Sequence, residues 1–244
     1  MAPITESAAT DVVARLDAEV NDFVSRVRFF NEPMTKARAC MFVMQHRLNT
    51  RQRNSVLKLA VATNCPDWET RLGIITACTQ EIIADHEFGG GKPHWAILQE
   101  LGVQIGMDAR AIENAAPLVT TQLAWLAWEA LMKNRPWLEG IVANTCAERA
   151  NVPGYGSGTI REAGWFGHER KRWKELFGLR DDQLEFFALH EAADIEHSEL
   201  GWKAIARYAK EGGQENAVVQ ACRTNLLVWE SYLNGIADAG DAEG

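Results

Sequence analysis

FFALHEAADIEHSELGW, residues 186–202, is the stretch that decides the fold. His190, Asp194 and His197 stand in it at relative positions 0, +4 and +7. Because each residue of an α-helix turns the chain by about 100°, the three side chains fall within roughly 60° of one another. The spacing therefore predicts one helical face that carries two imidazoles and a carboxylate.

This helical face has two interpretations. Two imidazoles and one carboxylate can bind a borderline cation such as Fe(II), Mn(II) or Zn(II), and the small residues Ala193 and Gly201 leave room beside them. Alternatively, Asp194 accepts hydrogen bonds from both histidines on a partly hydrated face. Spacing alone leaves both open, because such triplets also arise by chance. A metal site needs further ligands from other helices.

The composition limits the expected partners. The chain has 244 residues and a formal charge of -8, with 47% hydrophobic and 24% charged residues, the balance of a soluble protein. No stripe of Lys and Arg stands out, so nucleic acid is not an expected partner. The five cysteines form no CxxC pair, which disfavours a cysteine zinc site. With no signal peptide and no apolar run of membrane-spanning length, we expect a cytoplasmic protein with no membrane partner.

Helical periodicity recurs along the chain, whereas strand and hairpin signals do not. Pro- and Gly-containing breaks separate the helical segments. We expect one all-α domain over residues 1–244, with frayed ends at 1–8 and 238–244. The predicted helices are 8–30, 34–48, 50–63, 67–88, 93–105, 108–133, 136–150, 157–177, 181–211 and 214–238.

A second group of candidate ligands lies in EIIADHEFGGGKPHWAILQELGV, residues 81–103. One helix is expected to end near Phe88 and the next to begin near Pro93, a favourable first-turn residue. Glu87 and His94 then lie at opposite ends of one turn, which can direct both side chains to a single point. The alternative is that both are surface groups at helix ends. Glu81, Asp85 and His86 lie close to them in the same stretch.

A single acid stands out in NTCAERANVPGYG, residues 144–156. Glu148 follows apolar residues in a predicted helix, and a buried carboxylate is costly unless it has a partner. It is therefore a candidate ligand, and a surface ion pair with Arg149 is the alternative. Glu129 and Glu162 are competing candidates of the same type.

The three stretches together offer three carboxylates and three imidazoles on a helical scaffold. Carboxylate-rich sites between facing helices suit di-iron or di-manganese centres. A donor set without thiolate favours iron or manganese over structural zinc. The candidate metal ligands are Glu87, His94, Glu148, His190, Asp194 and His197.

In these motifs the sequence resembles the heme-oxygenase-like diiron oxidases and oxygenases. The matching elements are E-x6-H at Glu87 and His94, a lone Glu148 shortly before Pro153, and the terminal FFALHEAADIEH. The resemblance covers about residues 35–235. It implies a single-domain, seven-helix bundle without heme, in which the six candidate ligands hold two irons and O2 is activated between them.

The resemblance also implies an enzymatic function. Members of the superfamily act on small molecules, often amino acids or fatty acids, by N-oxygenation, oxidative C–C cleavage, decarboxylation or desaturation. The second iron is often weakly held, and many members are homodimers. We therefore expect a non-heme iron oxidoreductase that forms a homodimer and acts on a small-molecule substrate.

One segment departs from the compact relatives. The chain between Glu148 and His190 is longer and contains GSGTIREAGWFGHERKRWKELFG, residues 156–178. This run is interpreted either as a cation-rich surface helix or as a substrate lid that offers a cation to a carboxylate. The extra length keeps Glu162 as an alternative to Glu148.

Two other functions remain open on the same scaffold. The first is a metal-free enzyme that resembles thiaminase II, with Cys146 as nucleophile, or the cofactorless oxidase of pyrroloquinoline quinone synthesis. The second is a non-catalytic helical binding module, in which the six candidate ligands do not converge on one point.

Overall fold

The computed structural model describes residues 6–87 and 90–244, with side chains described for 12–87 and 90–244. Every regular element in these ranges is helical, apart from an isolated antiparallel bridge between Asp85 and Lys92. No helix described has the length and apolar character needed to cross a bilayer. The all-α class predicted from the sequence is confirmed.

Helical segments follow one another along the described chain. They are α1 Glu6–Arg26, α2 Arg28–Asn31, α3 Lys36–Asn49, a π-helix Thr50–Lys58, α4 Leu59–Asn64, α5 Trp68–Ile82, α6 His94–Gln104, α7 Ala109–Glu113, α8 Val119–Asn134, α9 Trp137–Arg149, α10 Gly158–Phe177, a 3-10 turn Asp181–Gln183, α11 Glu185–Tyr208 and α12 Glu215–Glu243. These segments outnumber the seven expected helices, because bends and the π-helix divide longer ones.

Amphipathic helices pack into a bundle around α12, which contacts α1, α3, α8 and α9. On α1 the buried residues Leu16, Val20, Phe23 and Val24 follow helical spacing and form one apolar stripe. Each such side chain contributes about 1.5–3 kcal/mol when it is fully buried. Helix α11 packs on α9, α5, α6 and α10, so the motif quoted from residues 186–202 lies inside the bundle.

Helix α5 is shorter than predicted. It ends at Ile82 rather than near Phe88, which itself lies outside the described residues. The chain reverses immediately afterwards, because the amide of Asp85 donates to the Lys92 carbonyl at 3.1 Å. Gly91 adopts a φ of 85° in this turn, a conformation that favours glycine. Glu87 therefore sits in a turn and not on the helix.

Helix α12 is longer than predicted and continues through the tail that was expected to fray. It reaches Glu243, because Asp241 accepts a hydrogen bond from Arg38 Nε at 2.6 Å. Gly240 packs directly on the backbone of Arg38, where a Cβ would lie 2.6 Å from Cα. At the other end, residues 1–5 of the predicted frayed segment lie outside the described residues.

Candidate metal centre

Glu81, Glu148 and His197 converge in the interior of the bundle. They come from α5, α9 and α11, and one donor atom of each lies within 4.8 Å of the others. The side chains are 9%, 13% and 10% exposed, respectively. Two carboxylates and one imidazole in so small a space are a suitable donor set for a borderline divalent cation.

The sequence of α5 explains why Glu81 points inward. It lies three, four and seven residues after the buried Cys78, Ala77 and Ile74. This is the spacing of one helical face, so Glu81 continues the apolar stripe of its helix. Its carboxylate is thereby carried into the interior one residue before the helix ends.

His94, His190 and Asp194 lie next to this cluster. The ring centroids of His94 and His190 are 4.7 Å apart. Asp194 Oδ2 accepts a hydrogen bond from Asn151 Nδ2 at 2.6 Å. Asp194 and His190 line the same cavity as the two glutamates. The structure thus brings five of the six candidate ligands together, with Glu81 as an additional carboxylate.

One ring nitrogen of each histidine in this region is held by a protein acceptor. The opposite nitrogen is then left for a metal, which is how metal-binding histidines are typically oriented. The pairs are His94 Nε2 with Asp85 Oδ2 (3.0 Å), His190 Nδ1 with the Phe186 carbonyl oxygen (2.7 Å) and His197 Nε2 with Gln80 Oε1 (3.2 Å).

Several donor atoms at this centre lack a hydrogen-bond partner among the described residues. They are Oε2 of Glu148 and Nδ1 of both His94 and His197, and all three are buried. Buried polar atoms in native proteins are normally paired, so these atoms point to a partner that is not part of the chain. The carboxylates and imidazoles fit iron or manganese as that partner.

A lysine and an asparagine from the π-helix hold the two glutamates. Lys58 Nζ donates to Glu148 Oε1 at 2.5 Å and to Glu81 Oε1, and Asn54 Nδ2 donates to Glu81 Oε2. Burial acts to lower the pKa of Lys58, but the charges of Glu148 and Glu81 outweigh it and raise the pKa above its usual value. The Lys58 side chain is therefore an ammonium ion. The π-helical turn that carries Lys58 and Asn54 is of a kind found frequently at functional sites.

Burial also sets the charge states of other donors. It raises the pKa of Asp194 well above its usual value, and the charges of Glu148 and Glu81 add to the effect. It lowers the pKa of both His190 and His197. Both imidazoles are therefore neutral at pH 7 and able to bind a metal through a ring nitrogen.

The donors open onto a small cavity with about 60 Å³ of space for water-sized molecules. That volume has room for a few waters. The polar part of the wall includes Glu81, Glu148, His190, Asp194 and Lys58, and the rest is largely aromatic. The aromatic residues are Phe23, Phe30, His46, Trp165, Phe166 and Trp229.

Helix α10 supplies part of this aromatic wall through a kink at Gly164. The φ of Gly164 is 71°, and a Cβ there would overlap the carbonyl oxygen of Asn151, so only glycine fits. The kink turns Trp165 and Phe166 into the core, while Arg161 stays exposed. The long segment between Glu148 and His190 thus contains an amphipathic helix. Its buried face lines the cavity, and its opposite face exposes cations.

The remaining candidate glutamates do not reach the centre. Glu87 is exposed, and its Oε2 lies 3.3 Å from Gln80 Nε2. Glu129 and Glu162 are exposed as well. Of the three glutamates that the sequence left open for the isolated ligand, Glu148 alone lies in the cluster.

Comparison with known proteins gives the family and the fold of the chain. A model of the family described as iron-containing redox enzymes matches residues 40–230. A 4-aminobenzoate synthase of Nitrosomonas europaea is 26% identical over 160 residues, which are 64% of this chain and 61% of that protein. The matched segment therefore spans about six-tenths of the length of that relative.

A solved structure gives the same fold. It is a domain of unknown function with a heme oxygenase-like fold from Shewanella denitrificans, and it superposes with a TM-score of 0.68. The match covers 97% of this chain and 94% of that chain at 15% sequence identity. The heme-oxygenase-like bundle expected from the sequence is confirmed.

Proposed function

The chain belongs to the iron-containing redox enzymes, and from that premise we propose that it is an O2-dependent, non-heme diiron oxidase or oxygenase acting on a small molecule. The observation that carries the proposal is the convergence of Glu81, Glu148 and His197, one donor atom of each within 4.8 Å of the others. These residues would hold one metal ion. His94, His190 and Asp194 are the donors available for a second.

Bound iron would supply O2 activation and oxidation of the substrate. The chain itself orients the ligands and excludes water. Asp85, Gln80 and the Phe186 carbonyl fix the histidine rings through hydrogen bonds. The His190 ring packs against both Phe166 and Phe186, with centroid distances of 4.6 and 4.4 Å. This aromatic packing keeps the ligand in place and that side of the centre dry.

The substrate is proposed to be amino-acid-like or fatty-acid-like. The cavity has room for only a few water-sized molecules, so a substrate of that size requires part of the wall to move. Trp165 and Phe166, which follow the Gly164 kink, are the part of the wall proposed to move. Because the Nitrosomonas relative is named 4-aminobenzoate synthase, 4-aminobenzoate is the first product to look for.

The proposal is tested by loading the metal-free protein with Fe(II) under anaerobic conditions and mixing it with O2. We expect about two irons per chain by elemental analysis and an absorbance transient on exposure to O2. His197→Ala should lose iron, whereas a variant of the exposed Glu129, Glu129→Gln, should keep it. A protein that binds no iron and gives no transient would contradict the proposal.

A metal-free enzyme is the second candidate, and one observation favours it. Lys58 already forms ion pairs with both Glu81 and Glu148. The thiaminase-like version has less support, because Cys146 accepts a hydrogen bond from Asn225 at 2.8 Å and is not among the described residues that line the cavity. Turnover that persists in a strong chelator would favour the metal-free enzyme.

The homodimer implied by the resemblance stays a prediction. Val119, Leu123 and Leu126 are 71%, 59% and 65% exposed on α8, and their spacing places them on one face. Sedimentation equilibrium measures the oligomeric state directly. A monomer at micromolar concentration would contradict this prediction.

A further inference from the structure

Lys58 is a buried cation in an unusual position. Its side chain is 2% exposed, and lysine is almost never fully buried unless it is paired. Its partners are the Glu81 and Glu148 carboxylates. These are the same two carboxylates that, with His197, form the candidate metal site. One ammonium and one metal ion therefore depend on the same pair of anions.

The two cations cannot share these carboxylates without cost. Both oxygens of Glu81 already accept hydrogen bonds, one from Lys58 and the other from Asn54. A divalent ion beside a fixed ammonium in a buried site is repelled, because charges interact strongly where water is excluded. Glu148 differs, since its Oε2 has no hydrogen-bond partner among the described residues. A metal can thus approach Glu148 at a free oxygen, whereas at Glu81 it meets the Lys58 ammonium and the Asn54 amide.

We propose that Lys58 is a built-in competitor of the metal: it holds Glu81 and Glu148 together in the metal-free protein and leaves them when a metal ion binds. The inference rests on the proposed function, because it takes the cluster to be a metal site. Lys58 supplies part of the positive charge that a metal ion would supply, so the two buried carboxylates stay close together without a metal.

The cavity offers the displaced ammonium another acceptor. Lys58 and Asn151 both line it. Asn151 donates to Asp194 through Nδ2, and its own Oδ1 is buried without a hydrogen-bond partner among the described residues. A lysine side chain has four flexible methylene groups. We expect the ammonium to turn from the glutamates toward Asn151 Oδ1 and to remain inside the site.

Lys58→Met tests the competition, because methionine keeps the length and removes the charge. The readouts are the Mn(II) affinity, by competition with a chelating dye, and the Tm of the metal-free protein. We expect Lys58→Met to bind Mn(II) about tenfold or more tightly, because removal of one partner of a buried ion pair leaves uncompensated charge. Its metal-free Tm should fall, and Mn(II) should raise that Tm by more than in the wild type.

Lys92→Met is the matched control, since Lys92 is exposed and pairs with Glu100. It should leave the Mn(II) affinity unchanged. A folded Lys58→Met protein with equal or weaker Mn(II) affinity overturns the role of Lys58, while Mn(II) binding by the wild type still supports the metal centre. If neither protein binds Mn(II) or Fe(II), the proposed function and this inference both fail.

A second measurement does not depend on whether Lys58→Met folds. In a crystal structure of the wild-type protein with Mn(II), Lys58 Nζ should lie beyond hydrogen-bond distance of Glu81 and within reach of Asn151 Oδ1. A structure in which Mn(II) is bound by Glu81 and Glu148 while Lys58 still donates to both would overturn the inference.

Discussion

The carboxylate of Asp85 lies 3.0 Å from Nε2 of His94, and neither side chain is more than 1% exposed. This contact joins the beginning and the end of the turn between α5 and α6. It leaves Nδ1 of His94, which is buried without a hydrogen-bond partner among the described residues, as the nitrogen that can bind a metal. Asp85 thus fixes the orientation of this candidate ligand.

The first prediction follows from this contact. Asp85→Asn keeps the shape of the side chain but weakens its hold on the His94 ring. Changes of this kind behind a histidine ligand typically cost about 10–100-fold in metal affinity, and we expect a loss in that range for Fe(II) or Mn(II). Asp182→Asn, on the exposed 3-10 turn, is the control and should bind normally. Equal affinities for the two variants would show that Asp85 does not position a metal ligand through His94.

The second prediction separates Glu81 from Glu87. Glu81 is buried in the cluster and Glu87 is exposed in the turn. Loss of a residue that positions a metal ligand typically lowers metal affinity by about 10–100-fold. Glu81→Gln should lower the Mn(II) affinity by more than that, because Glu81 is itself a candidate ligand. Glu87→Gln should leave the Mn(II) affinity within about twofold of the wild-type value. Chelator competition on both proteins measures this. The opposite result would mean that the turn rearranges when a metal binds and that Glu87 becomes the ligand.

The difference between these two glutamates shows what the sequence could predict. The helical face of His190, Asp194 and His197 follows from spacing alone, because all three lie within one helix. The choice between Glu81 and Glu87 depends on where α5 ends and how the next turn closes, which is set by contacts such as that of Asp85 with Lys92. Glu81 did carry a signal, since it continues the apolar stripe of α5.

Lys58 and Asn54 were beyond sequence analysis for a different reason. Lys58 meets Glu81 and Glu148 across 23 and 90 residues of chain, and no local pattern reports such contacts. A lysine within the apolar run VLKLAVA, residues 56–62, was the only local hint. The π-helical turn that presents Lys58 and Asn54 inward differs from the regular helix predicted over 50–63.

The third prediction concerns Gly201, which was expected to leave room beside the ligand face. Instead, α11 packs there against α9, and a Cβ at residue 201 would lie 2.8 Å from both Cβ and Cγ2 of Thr145. Thr145 is buried and donates to the Ile141 carbonyl at 3.0 Å, so it cannot simply rotate away. Gly201→Ala should therefore lower the free energy of unfolding by about 1–3 kcal/mol, as overpacking does.

Gly140→Ala is the matched control for this substitution. Gly140 is also buried in a helix, but its Cβ would meet its nearest neighbour at 3.5 Å, an ordinary contact. Because alanine favours helices over glycine by about 1 kcal/mol, Gly140→Ala should leave stability unchanged or raise it. Urea unfolding of both variants measures the difference. A Gly201→Ala variant as stable as the wild type would show that α9 and α11 pack more loosely than in this structure. It would also show that space does exist beside the ligand face.

The fourth prediction concerns Glu169, a buried carboxyl on α10 away from the metal centre. It accepts hydrogen bonds from Arg172 at 2.7 Å and from Trp173 at 3.2 Å. Burial nevertheless raises the pKa of Glu169 from 4.5 to about 7. The folded protein thus binds this proton more tightly than the unfolded chain does. The contribution to stability is therefore fully present below pH 4.5 and is lost as the pH rises through about 7.

Glu169→Gln should remove this pH dependence, because glutamine has a similar shape and does not titrate. Between pH 5 and pH 8 the wild type should lose about 2 kcal/mol of unfolding free energy through Glu169, and Glu169→Gln should not. Glu175→Gln, on the exposed face of the same helix, should retain the wild-type loss. Urea unfolding of the wild type and of both variants at the two pH values measures the loss of unfolding free energy in each protein. Equal losses for the wild type and Glu169→Gln would mean that Arg172 keeps Glu169 ionised at both pH values and that burial of this carboxyl costs the fold little.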